Sequence, residues 1–408
     1  MTTSTPATLL PKDDGAFAYR GVMLDVARHF VPLAEIRRLL DGMQLLKLNV
    51  LHIHLTDDQG WRFESLKWPK LTTVGGTRSQ TVVGLPGNYG SEDLHPENYK
   101  NVYDGKPHSG FYTQAELREL VAHAKTKGVT IVPEIDMPGH MRAARAAYPE
   151  LGYDGVQWGV GTGWGVYREV LRVDEPGLQF CRDILGEVCD VFDSPYIHIG
   201  GDECPKIEWI DSHVANKQVK ELGLDEKNIE EYDKLQRWFT AQMATFLASR
   251  GRKLLGWDEI IDGGVPGDCV VMAWRSWTKP AERAVKLNVP IVQAPTTLYF
   301  DHAHGAAANE PLSIGDGATL QEAYEYDPLA GVEDKPELVL GLQAQLWSEY
   351  IPTTEHLWYM AFPRLIAVAD IGYYGAKRAP WAEFRAGLEE RVKALAALGL
   401  VGRPLDKE

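Results

Sequence analysis

The amino-acid sequence predicts an α/β protein folded as a single (β/α)8 TIM barrel with enlarged loops after its strands. Three observations predict it. Short apolar segments of strand type recur eight times and alternate with segments of helical periodicity. Several of these segments run out into acids and indoles, the pattern of barrel strands that end at an active face. No internal repeat, low-complexity tract or long Pro or Ser linker divides the 408 residues. Residues 16–408 are therefore expected to form one barrel behind a tail over residues 1–15.

The elements follow in order. The first strand lies in YRGVMLDVARH from Tyr19, and the next helix, from about Pro32 to Leu46, spaces its apolar residues for one face. VLHIHLTDD, Val50 to Asp58, is the second strand. After the Gly-rich stretch GLPGNYGSEDLHPENY comes a helix in TQAELRELVAHAKTKG. A Thr113 and Glu116 capping box opens it and Gly128 closes it. VTIVPEIDMPGH is the third strand, PGLQFCRDILGEVCDVF a helix, and YIHIGGDE, Tyr196 to Glu203, the fourth strand with its exit. LQRWFTAQMATFLASRG is helical; KLLGWDE, CVVMAWR, PIVQAP and LVLGLQAQLWSE are strands five to eight.

Composition narrows the function. Against 42 Lys and Arg stand 57 Asp and Glu, a net charge of −15 that argues against nucleic acid or an anionic membrane as partner. No apolar run approaches the length of about 18 residues that spans a membrane, and MTTSTPATLLPKDDGAF lacks the basic and apolar regions of a secretory signal. A cytoplasmic location is the expectation, or a secreted one if an upstream signal has been removed. The four cysteines form no C-x-x-C pair, so neither a disulfide framework nor a structural metal site is expected.

The strand ends carry the chemistry: Asp57 and Asp58; Asp136 and His140; Asp202 and Glu203; Trp257, Asp258 and Glu259; Trp274 and Arg275; Tyr299 and Asp301; Trp347 and Glu349. Acids that hydrogen-bond hydroxyls, set among flat indoles that stack on C–H faces, suit a sugar pocket. Gly200 and Gly201 let the chain leave the fourth strand tightly before Asp202 and Glu203. In an extended chain these two side chains would point to opposite sides. Glycoside hydrolysis usually sets two carboxylates on separate walls of the site. Adjacent acids fit better a reaction in which the substrate supplies its own nucleophile.

LDVARHF, LHIHLTDDQGWRFE, VPEIDMPGH, HIGGDE, GWDE and LWSE, in this order and spacing, closely resemble the catalytic domain of glycoside hydrolase family 20, the β-N-acetylhexosaminidases. The resemblance runs from about Phe17 to the end of the eighth barrel unit. It implies retaining hydrolysis of a terminal β-linked N-acetylhexosamine, GlcNAc or GalNAc, without metal or organic cofactor. It also implies roles. Glu203 would be the general acid and base, Asp202 would accept the acetamide N–H and stabilise an oxazolinium ion, and Tyr299 would hold the acetamide's other end. Trp257, Trp274 and Trp347 would box in the acetamide and ring. Arg28, Asp301 and Glu349 would bind outer hydroxyls, and Asp57 with His140 would orient the acid.

Two further readings of the same sequence belong to other classes. His52 and His54 form the H-x-H opening of a metal-dependent barrel hydrolase, and a sugar-binding barrel without turnover would keep the indoles alone. The chain also departs from the family pattern. It resembles the barrel-only members, expected to do without the usual N-terminal α+β domain, so self-association as a homodimer is one expected source of stability or of a wall for the leaving group. DHAHGAAANEPLSIGDGATLQ contains no Trp where the family often has one after the seventh strand. The stretches from Gly152 to Arg168, with Trp158 and Trp164, and from Pro205 to Tyr232 are the expected replacements.

Overall fold

Strands buried on both faces read as predominantly apolar runs, and the eight segments are buried almost throughout, their polar residues such as His52, His54, Gln343 and Gln345 included. In the computed structural model, which describes residues 9–11, 13–84, 101–305, 310–315 and 317–407, they are β1 (Tyr19–Asp25), β2 (Val50–His54), β3 (Thr130–Glu134), β4 (Tyr196–His198), β5 (Lys253–Trp257), β6 (Cys269–Ala273), β7 (Ile291–Gln293) and β8 (Val339–Leu346). Each pairs in parallel with its neighbour in sequence, and β1 pairs with β8 to close the barrel. Most of the Gly-rich stretch GLPGNYGSEDLHPENY, most of the 1–15 tail and part of the loop after β7 lie outside the described residues.

The helices form where periodicity and caps place them. In α1 (Leu33–Leu46) the buried residues Ile36, Leu39, Leu40, Met43 and Leu46 recur at helical spacing, and the chain stops at Lys47 in the left-handed region. The Thr113 and Glu116 capping box opens α2 (Gln114–Thr126). Further crossovers are α3 (Glu175–Val191), α4 (Glu231–Ser249), α5 (Pro280–Lys286) and α6 (Leu320–Glu325), with α7 (Arg364–Tyr374) after β8.

One expected helix is absent. Between β5 and β6 the chain makes only a single 3-10 turn, Asp258–Ile261. The next residues are Asp262-Gly263-Gly264-Val265-Pro266-Gly267, and Gly264 and Gly267 take positive φ of 103° and 143°. Three glycines and a proline leave no run long enough for a helix.

The barrel's interior changes character along its axis. Its N-terminal part is apolar, filled by Tyr19, Val50, Val132, Tyr196, Leu255, Val270, Val292 and Leu340. Towards the C-terminal ends, the buried His52, His54, Glu134, His198, Gln343 and Gln345 replace it with a polar layer. That layer is the floor of the site. Among the described residues, no helix is long and apolar enough to cross a membrane.

Candidate active site

The floor is organised around one carboxylate. Glu134, the last residue of β3, is fully buried. Its Oε1 accepts from the Trp257 indole N–H at 2.9 Å and lies 2.9 Å from His198 Nδ1. Its Oε2 lies 2.6 Å from His54 Nδ1 and 2.9 Å from His52 Nε2. Burial would raise the Glu134 pKa, but His198, His54 and His52 hold it well below the usual carboxylate range. Burial also acts on His52, and in spite of Glu134 its pKa falls to about 4. The H-x-H pair therefore points under the cleft rather than into it. His54 has both nitrogens against carboxylates, Glu134 on one side and Asp57 Oδ2 at 2.8 Å on the other.

Asp57 carries the network upward. Its hairpin, Thr56–Asp57 paired with Gly60–Trp61, turns through Asp58 and Gln59. Arg28 Nη2 reaches Asp57 Oδ2 at 2.9 Å, and His140 Nδ1 lies 3.2 Å from Asp57 Oδ1 and 3.0 Å from Asp58 Oδ2. Burial works against a charge on His140, yet Asp57 and Asp58 keep its pKa well above that of an ordinary imidazole. The other ring nitrogen, Nε2, faces both acids of the central pair, 3.8 Å from Asp202 Oδ2 and 3.7 Å from Glu203 Oε2.

Asp202 and Glu203 do not diverge as an extended chain would require. Gly200, Gly201 and Glu203 all have positive φ, 66°, 96° and 45°, so the backbone curls and brings both carboxylates to one cleft. Glycine is required at 200, because a Cβ there would come within 1.7 Å of Asp136 Oδ1. The two acids differ in setting. Asp202 is buried, its Oδ1 has no hydrogen-bond partner, and burial together with neighbouring Glu203 raises its pKa to about 7 despite His140. The Glu203 side chain is 42% exposed.

Indoles and a phenol wall the cleft, which encloses about 220 Å³. Trp257, held by Glu134, lies 5.7 Å from Trp347 between ring centroids. Trp274 stacks near-parallel to Tyr299 at 6.3 Å, and its indole N–H donates to Glu259 Oε2 at 3.0 Å. Across the cleft stand Arg28, Asp301 and Glu349. Arg28 is tied to Asp57, to Gln59 at 3.0 Å and to the face of Trp347 at 5.1 Å. Glu349 Oε2 and Asp301 Oδ1 are buried without partners. Burial raises the Glu349 pKa to about 7 although Arg28 opposes it.

Of the residues singled out in the sequence, Arg28, Asp202, Glu203, Trp257, Trp274, Tyr299, Asp301, Trp347 and Glu349 line this cleft, with Asp57 and His140 directly behind it. Thr296, His302 and Ile314 also line it and belong to no motif. Asp58 shares His140 equally with Asp57, a role its place in the TDD triplet hinted at. In the expected replacement stretch 152–168, Trp164 is buried against His29 and Trp158 lies against Arg142. Neither lines the cleft.

A barrel whose strand ends gather paired acids, unpartnered carboxylates and a box of indoles defines the class of glycoside-hydrolase barrels. Residues 17–375 match glycosyl hydrolase family 20, catalytic domain, and the chain belongs to that family. It is 38% identical to a β-hexosaminidase of Porphyromonas gingivalis over 91% of this chain and 45% of that protein. To a β-hexosaminidase of Vibrio furnissii it is 36% identical over 88% of this chain and 57% of that one. The chain thus spans about half the length of these two relatives. Among solved structures, an exo-β-N-acetylglucosaminidase of Vibrio harveyi in complex with N-acetylglucosamine superposes with a TM-score of 0.80 at 32% identity, covering 96% of this chain and 60% of that one.

Proposed function

We propose that this chain is a retaining exo-glycosidase that removes a terminal β-linked N-acetylhexosamine, GlcNAc or GalNAc, by substrate-assisted catalysis. The observation that carries this reading is Asp202 Oδ1, a buried acceptor without a partner inside an indole-walled cleft, next to a more exposed Glu203. An unmet buried acceptor is costly unless a ligand donor fills it, and an acetamide N–H is such a donor. In the first step the acetamide oxygen forms a bond to the anomeric carbon while the bond to the leaving oxygen breaks. Glu203 gives its proton to that oxygen, and Asp202 balances the oxazolinium charge. Water then attacks the anomeric carbon from the leaving group's side, Glu203 takes its proton, and the acetamide is restored. Double displacement by the substrate's own group returns the β configuration.

His140 faces both carboxylates and is the group that apportions charge between them. The relatives' names and the harveyi complex support the choice of an acetamido sugar. Proton NMR of the first-formed product tests the mechanism. The β-anomer is expected, and initial release of the α-anomer would exclude an oxazolinium route.

A further inference from the structure

The bend that carries Asp202 and Glu203 is held at both ends, and by different means. At its entrance the barrel supplies the hydrogen bonds: Gly201 N–H donates to Asp136 Oδ1 at 3.2 Å, and Gly200 O accepts from Trp257 N–H at 2.9 Å. At its exit the partner is a lysine. Lys206 Nζ donates at 2.9 Å to Cys204 O, the carbonyl of the residue directly after Glu203. The same ammonium donates to Gln236 Oε1 and lies 3.5 Å from Asp233 Oδ1, both on α4, and it faces the Trp209 ring at 5.4 Å. An ammonium only donates, so it fixes which end of the Gln236 amide faces it. The amide nitrogen is left for Gly201 O, to which it donates at 2.6 Å.

Lys206 and Gln236 thus span the acid pair, with one carbonyl before Asp202 and one after Glu203. The bend needs such a hold, because Glu203 sits at φ 45°, a region that a residue with a Cβ rarely occupies unless its surroundings impose it. The Lys206 side chain is 14% exposed, so its charge is committed to these partners more than to water. The Glu203 side chain is far more open, and His140 Nε2 stands 3.7 Å from it, beyond hydrogen-bond distance. Its aim is set by the backbone that bears it. We propose that Lys206 is a positioning residue for Glu203: by holding Cys204 O and, through Gln236, Gly201 O, it keeps the acid aimed at the leaving oxygen. This assignment rests on the glycosidase reading above.

Two substrates that differ in their need for an acid test it. In Lys206→Met, kcat/KM on chitobiose is expected to fall by about 10- to 100-fold, the range for a reacting group displaced by up to ~1 Å, with the loss carried by kcat. On 4-nitrophenyl β-GlcNAc, whose leaving group needs little acid help, the loss is expected to stay within about three-fold. Lys206→Arg, which keeps a donor for Cys204 O, is expected to recover most of the chitobiose rate. Lys206→Gln, too short to span Cys204 and Gln236, is expected to repeat the split, so the test stands even if Lys206→Met does not fold. In a Glu203→Gln background, Lys206→Met is expected to cost nothing further, because the group it aims is gone. Equal losses on the two substrates, losses that multiply in the double variant, or a Lys206→Met enzyme with wild-type rates on chitobiose overturn the assignment. Wild-type protein inert on both substrates would instead remove the glycosidase reading, and the assignment with it.

Discussion

The floor of the barrel and the cleft above it use the same side chains to opposite ends. In the floor Glu134 and Asp57 are each enclosed by partners: Glu134 sits among Trp257 and three histidines, and Asp57 among Arg28, His54 and His140. In the cleft Asp202, Asp301 and Glu349 each keep a buried oxygen without a partner. These shared partners make the floor a scaffold, because a carboxylate held from several sides has one arrangement. Want of partners makes the cleft a receptor, since each orphan oxygen is stabilised only when a ligand donor arrives. The boundary between them is His140, with one nitrogen on the scaffold and the other facing the acids.

Breaking the cleft should cost rate and spare the fold. Glu203→Gln is expected to lose about 10²- to 10⁴-fold in kcat on an oligosaccharide, less on an activated aryl glycoside, with an unchanged melting temperature. A matching drop in stability would merge the two regions. Breaking the floor should do the reverse. Glu134→Gln removes the charge at the centre of a buried ionic cluster, and its expected cost is about 3–5 kcal/mol in denaturant unfolding. A stable Glu134→Gln protein would show that the floor is not the scaffold described.

The pH dependence sharpens the contrast. Asp202 has a raised pKa, about 7 against an ordinary 3.8, so between those values the folded state holds a proton that the unfolded state releases. Its contribution to stability is present below about pH 4 and is lost as pH rises to about 7. Asp202→Asn cannot ionise and escapes that loss. Its stability advantage over wild type should grow by on the order of 2 kcal/mol between pH 5 and pH 8 in urea titrations. A gap that shrinks over this interval would contradict the sign. The smallest effect is expected from a chelator. With both nitrogens of His54 on carboxylates, hydrolysis should be indifferent to it, and dependence on added zinc would revive the H-x-H reading.

The strands were legible because a parallel barrel strand is an apolar run with no competing pattern, and α1 and α2 because their caps and periodicity are local. The absent helix after β5 was legible too, in Gly263, Gly264, Pro266 and Gly267, had strand alternation not been extended across them. The opposite-sides expectation for Asp202 and Glu203 failed for a local reason, since the glycines that free the backbone also end the extended chain. The floor was hidden for a different reason. His54 and Glu134 are 80 residues apart, and only the pairing of β2 with β3 sets them opposite each other.

The most direct test of the account is the initial rate on 4-nitrophenyl β-GlcNAc and 4-nitrophenyl β-glucoside for wild type, Asp202→Ala and Glu203→Gln, with chelator present. The account predicts turnover of the acetamido substrate favoured by about 10⁴-fold or more, and lost mainly in Asp202→Ala because the aryl leaving group needs little acid help. Comparable rates on the two glycosides, or an Asp202→Ala enzyme as active as wild type, would contradict it.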